Sequence, residues 1–123
     1  MFKTAPRQLQ VQLQLTPNET QVNGHLRISS TFDLICDSIS VQLIWQLVSA
    51  QACETQVIAE IPLIYRQVSV DSLLESDFDF ELPTQPRHFQ GALIRVEWGV
   101  RVKFVPRAHP TAPIYALKTF QRR

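Results

Sequence analysis

The chain is poor in glycine and in cysteine. Three glycines among 123 residues leave no Gly-rich linker and no material for a phosphate-cradling loop. The eight prolines are scattered, so there is no low-complexity tract. No fixed-period repeat is present, which argues against solenoids and propellers. No apolar run approaches the ~18 residues that a membrane span requires. Residues Met1 to Arg7 carry charges with no apolar segment behind them, so no secretory leader is expected. The two cysteines, Cys36 and Cys53, bracket a strand pattern from Ile39 to Val48. At ~3.3 Å per residue that strand holds the thiols about 30 Å apart, far beyond the ~7 Å between Cα atoms that a disulfide tolerates. Two free thiols, and hence a reducing cytoplasm, are expected.

What the chain does have is apolar content and alternation. Its 45% hydrophobic and 19% charged residues suit a folded globule, and the length suits one domain over residues 1–123. Leu9, Val11, Leu13 and Leu15 alternate with glutamines, then a turn falls at Thr16 to Thr20. A second strand holds Val22, Leu26 and Ile28, with Gly24 suggesting a bulge or a close backbone approach. Ile39, Val41, Leu43, Trp45 and Leu47 make the inward row of a third strand, whose other face carries Ile44 and Val48 and is therefore partly covered. Gln56 to Val70 holds one or two strands, and Pro62 marks an edge or a break there. Phe78, Phe80 and Leu82 alternate with acids up to Pro83. The clearest strand runs from Ile94 to Phe104, and Ile114 to Phe120 reads as the last. About seven or more strands with no crossover helix predict an all-β, antiparallel, immunoglobulin-like two-sheet sandwich.

Two segments resemble the arrestin-like family. Pro17-Asn18-Glu19, a short spacer and Val22-Asn23-Gly24-His25-Leu26 are similar to its Pro-Gly-Glu turn followed by Val-x-Gly-x-apolar, with Asn18 in place of the glycine and one extra residue before Val22. Phe78-x-Phe80-x-Leu82-Pro83, then Pro86, Phe89 and Gly91, then Ile94 to Trp98, are similar to its Phe-x-Phe-x-Leu-Pro, Pro-x-Ser-Phe-x-Gly and Ile-x-Tyr series. His88 stands at the serine and Val96 at the tyrosine of that series. The likeness extends from about Gln8 to Phe104 and corresponds to a single lobe. It implies an arrestin-like sandwich and, by analogy, a scaffold for protein contacts without a catalytic centre.

The chemistry-bearing residues fail at spacing. Asp77, Asp79 and Glu81 lie ~6.6 Å apart along one strand face, too extended to surround one cation, and read as a solvated charged face. His25, His88 and His109 fall in three separate segments without zinc-ligand spacing, and His25 is expected to face away from the core. Asp37 follows Cys36 directly and is expected to raise its thiol pKa, making it a poor nucleophile. A hydrolase would have to be built from loop residues such as His88, His109 and Asp37. Trp45 and Trp98 sit in regular apolar rows and read as core anchors whose N–H groups find partners. No catalytic site, metal or cofactor is expected.

Charge is the one asymmetric feature. Glu54 to Glu81 is acidic and Arg87 to Arg123 is basic, while the whole chain carries only +1. The first expectation is that the acidic and basic strands are neighbours and neutralise each other across a sheet. The other is that Arg95, Arg101 and Lys103 form an anion-binding row for a phosphopeptide or nucleic acid. Nucleic acid is disfavoured, because no aromatic shares a face with those cations. The leading expectation is a cytoplasmic, non-catalytic protein-binding or scaffold module. Its candidate contact surface is Val57, Ile58, Ile64 and Tyr65, serving a protein partner or self-association.

Overall fold

A computed structural model describes residues 8–86, 89–91, 93–108 and 112–122. The first hairpin joins β1 (Leu9–Pro17) to β2 (Gln21–Ser30). Asn18 builds the turn: its Oδ1 accepts from the N–H groups of Thr20 at 2.9 Å and Gln21 at 2.8 Å. Its own N–H donates to the Gln21 carbonyl, closing an Asx-type turn without glycine. Then follow β3 (Leu34–Ser49), β4 (Cys53–Pro62) and the short β5 (Gln67–Val68). The remaining strands are β6 (Leu73–Glu81), β7 (Phe89–Gln90), β8 (Ile94–Pro106) and β9 (Ile114–Phe120).

These strands form two antiparallel sheets. The smaller has the order β1-β2-β6. The larger has the order β4-β3-β8-β7, with β9 also on β8, while β5 continues the β4 side of β3 by pairing with Leu34 and Ile35. The expected sandwich is therefore present, with two short strands, β5 and β7, that the sequence pattern did not separate. Pro62 closes an edge strand, as its lack of an N–H dictates, and β6 ends one residue before Leu82-Pro83.

Between the sheets lies one continuous core. Leu13, Val22, Leu26, Ile28, Phe78 and Phe80 of the small sheet meet Ile39, Val41, Leu43, Trp98, Val100, Val102 and Phe104 of the large one. Each such side chain removed from water contributes about 1.5–3 kcal/mol, which offsets the entropy of ordering the strands. Gly24 does not bulge: its pairing is regular on both sides, and it faces Phe78 across the β2–β6 ladder. The Phe78 ring lies over the bare Cα, filling the space that a Cβ would occupy. The close approach expected at this glycine is thus an aromatic one.

Two real bulges interrupt the large sheet. Asp37 is an extra residue in β3, between Cys36 opposite Pro106 and Ser38 opposite Val105. It shifts the inward phase from Leu34 and Cys36 to Ile39 and Val41. Ile58 is an extra residue in β4, between Val57 opposite Ile44 and Ala59 opposite Leu43.

Candidate functional site

The outer face of the large sheet holds most of the residues singled out from the sequence. β8 turns Arg95, Glu97, Arg101 and Lys103 outward, because Trp98, Val100, Val102 and Phe104 occupy the alternate, core-facing positions. β3 sets Val48, Gln46, Gln42 and Ser40 beside them, and β4 adds Thr55, Val57 and Glu60. On the far side β9 contributes Tyr115, Leu117 and Thr119.

A polar chain crosses this face at the level of Gln42. The Glu60 carboxylate accepts from Ser40 Oγ at 2.8 Å and from Gln42 Nε2 at 2.6 Å. Gln42 Oε1 in turn accepts from Arg101 Nε at 2.6 Å, and the Arg101 guanidinium lies 4.1 Å from the centre of the Tyr115 ring. Hydrogen bonds from Ser40 and then Gln42 hold the Glu60 carboxyl below its ordinary 4.5; partial burial opposes them, and Lys103 and Arg101 add smaller pushes downward. Ser40 and Gln42 are buried although they point away from the core, and Ile44 between the strands is 0% exposed. That covering is the one expected from the apolar residues on the outward register of β3.

The anion-binding row Arg95, Arg101 and Lys103 thus lies on one face, but two of its three charges are already engaged. Arg95 Nε pairs with Glu97 Oε1 at 2.8 Å, and Arg101 is held in the Glu60 chain. Three cations against Glu60 and Glu97 leave this face close to neutral. Sequence reasoning missed Glu60, Gln42 and Tyr115 as the partners of this row. The signal available was the cross-strand register, which no single strand pattern contains.

β6, which carries most of the acidic residues, is not a neighbour of β8, so the expected neutralisation fails between those two strands; within the acidic segment Glu60 of β4 reaches the basic row, and only through Gln42. β6 and β8 belong to different sheets. The chain changes sheet between them, so adjacency in sequence does not become adjacency across a ladder. β6 instead meets β2: His25 Nδ1 lies 2.6 Å from Asp77 Oδ1, and Arg27 Nε lies 2.9 Å from Glu75 Oε1. His25 points away from the core, as expected. Asp79 and Glu81 continue the acidic row opposite Asn23 and Gln21.

The apolar contact candidates spread along an edge. Val57 belongs to the outer face, opposite Ile44, while Ile58 is the bulged residue. Ile64 is 89% exposed, and it and the exposed Tyr65 lie in the connection from β4 to β5. Seven positions of mostly extended chain place Ile64 about 20 Å from Val57, so these four residues form a strip. The strip follows β4, whose far side has no strand partner among the described residues.

Trp98 is buried and its Nε1–H donates to the Pro86 carbonyl at 2.7 Å; Arg122 Nη1 donates to the same carbonyl at 3.2 Å and stacks 4.9 Å from the indole. Trp45 is its direct cross-strand neighbour on the core face. Cys36 is buried and Cys53 exposed, and neither is bridged. Burial first, and the Asp37 carboxylate second, push the Cys36 thiol above its ordinary 9.0. Asp37 itself lies 3.3 Å from Arg107 Nε. His88 and His109, the loop histidines of the hydrolase alternative, lie outside the described residues. Among the described residues no helix is long and apolar enough to cross a membrane.

The sequence matches no protein-family model and no curated protein. Among solved structures the fold is similar to Spo0M, the sporulation control protein from Bacillus subtilis, with a TM-score of 0.67 and 13% identity. The match covers 94% of this chain and 49% of that one, so the chain spans about half the length of Spo0M. A weaker likeness, TM-score 0.50 at 11% identity, covers 99% of this chain and 15% of a β-glucosidase from Kluyveromyces marxianus. At these identities the shared property is the fold. The chain is an all-β antiparallel sandwich, and the structure it is similar to, Spo0M, is of arrestin-like fold.

Proposed function

We propose that this domain is a non-catalytic protein-binding module of arrestin-like fold, acting in a reducing cytoplasm as a regulatory scaffold. The observation that carries this reading is the β4 edge. Ten residues of strand offer backbone groups with no strand beyond them among the described residues, and Ile58, Ile64 and Tyr65 stand exposed along and after it. An extended segment of another protein adding to such an edge gains main-chain hydrogen bonds, and the apolar side chains supply a register. Glu54, Glu60, Pro62 and the Ile58 bulge limit indiscriminate pairing, as edge strands in native proteins do. The resemblance to a sporulation control protein is in keeping with a regulatory role. Two unbridged thiols are in keeping with the compartment.

Photo-crosslinking tests the reading. A benzophenone residue in place of Ile64 is expected to give a discrete adduct with one partner protein in cells, while the same residue in place of Gln12, on the outer face of the small sheet, gives none. No adduct from position 64, or the same adducts from both positions, refutes the edge as the contact site.

A further inference from the structure

The outer face of the large sheet has the make-up of a self-complementary interface, and the geometry points to a second copy of this chain as its occupant. A band of low relief crosses it: Val57 of β4, Ile44 of β3, Gly99 of β8 and Thr119 of β9 lie in one row, with Leu117 beside it. Val57 and Leu117 are exposed to 46% and 44%, while Ile44 beneath them is fully covered. The Leu117 side chain folds over Gly99, so that a Cβ there would meet its Cδ1 at 2.8 Å. The band therefore presents two exposed aliphatic groups beside the buried Ile44 and Gly99, with charges on either side.

The placement of those charges selects the partner. Along β8 the band at Gly99 is flanked by Glu97 on one side and Arg101 on the other, each two residues away. A two-fold axis lying in the interface along this row carries each flank onto the other. Arg101 of each copy then faces Glu97 of the other, twice per dimer, while the aliphatic band meets itself. The same operation brings Lys103 towards Arg95 of the other copy, at the periphery, where Arg95 is already paired with Glu97 of its own strand. Sheets pack face to face at about 10 Å, a gap that Val57 and Leu117 can fill. Four strands at ~4.8 Å spacing over about nine residues offer roughly 600 Å² per copy. That exceeds the ~400 Å² per partner typical of lattice contacts and falls short of the ~800 Å² of a standard interface, so the dimer is expected to be reversible.

Charge reversal provides the test, read by sedimentation velocity over a range of concentrations. Wild type is expected to sediment as a concentration-dependent dimer. Arg101→Glu alone and Glu97→Arg alone place like charges opposite each other and are expected to sediment as monomers. Their one-to-one mixture restores both opposite pairs and is expected to dimerise again. Arg101→Glu also cuts the Glu60 chain; if it fails to fold, Leu117→Asp on the exposed band serves instead and is expected to be monomeric. A wild type that stays monomeric, or variants that dimerise unchanged, overturns the inference. This surface shares Val57 with the strip but lies about 20 Å from Ile64, so a monomer with an intact crosslink at position 64 rejects only the dimer. A dimer without that crosslink rejects only the edge contact.

Discussion

Replacement of Gly24 by alanine sets two ordinary effects against each other, and the structure decides their balance. Gly24 has no positive φ, so an alanine meets no backbone strain there. By reducing the freedom of the unfolded chain, Gly→Ala at such a position stabilises by about 0.4–1 kcal/mol. The opposing effect is steric. An alanine Cβ would lie 2.5 Å from Phe78 Cε2 and 2.7 Å from Cε1, inside the contact distance of any carbon pair. Phe78 is a buried core residue and its ring packs at 5.6 Å from that of Phe80, so it has little room to retreat. Overpacking of this kind costs about 1–3 kcal/mol. The steric cost wins, and Gly24→Ala is expected to destabilise by about 1–2 kcal/mol. The decisive comparison is the double-mutant cycle with Phe78→Ala. That change alone should cost about 3–5 kcal/mol. In its background the ring is gone, and Gly24→Ala should become favourable by about 0.5 kcal/mol. Urea unfolding measures all four proteins, with the midpoint moving and the slope retained. The expected coupling is about 2 kcal/mol; a Gly24→Ala protein as stable as wild type, or effects that add within about 0.5 kcal/mol, would refute the reasoning.

Three further outcomes follow from other parts of the structure. Glu60 has its pKa lowered on folding, so its ionised form stabilises the fold above the unfolded value, and that contribution is lost as pH falls through the folded one. The stability gap between wild type and Glu60→Gln, measured by urea unfolding from pH 7 to pH 3, should therefore be largest at neutral pH and shrink below about pH 4. Exposed Cys53 should react with a thiol reagent at once at pH 8, whereas buried Cys36, with its raised pKa, should react only after denaturant is added. Trp98→Phe removes the indole N–H from the Pro86 carbonyl, but Arg122 still donates to that oxygen. The thermal midpoint should fall by about 4–8 °C, reflecting about 1–2 kcal/mol of lost hydrogen bonding and packing.

The sandwich was legible wherever the two-residue period runs unbroken. Val22 to Ile28, Phe78 to Leu82 and Trp98 to Phe104 face the core as their alternation requires. Legibility failed at the bulges. Leu34 and Cys36 belong to β3, but the extra residue at Asp37 puts them out of phase with Ile39 and Val41, so the strand looked shorter than it is. In the same way Ile58 shifts β4, and Val57 looks like part of an indiscriminately apolar run when it belongs to the outer face. The candidate site suffered more, because its partners come from different strands. Glu60, Gln42, Arg101 and Tyr115 meet only through the β4-β3-β8-β9 registers. The assignment of β6 and β8 to separate sheets was equally hidden, and with it the fate of the acidic and basic segments.

The bulge at Ile58 also makes β4 unequal in its tolerance of changes in length. Loss of Ile58 would join Val57 to Ala59 and leave every other residue of the strand opposite its present neighbour on β3. Loss of one residue elsewhere in the strand would invert the facing of all positions on one side of the cut, turning Ala59 and Ile61 outward or Val57 inward. Natural variants of this domain that differ by a single residue in β4 are therefore expected to differ at this point, with the pairing on both sides preserved.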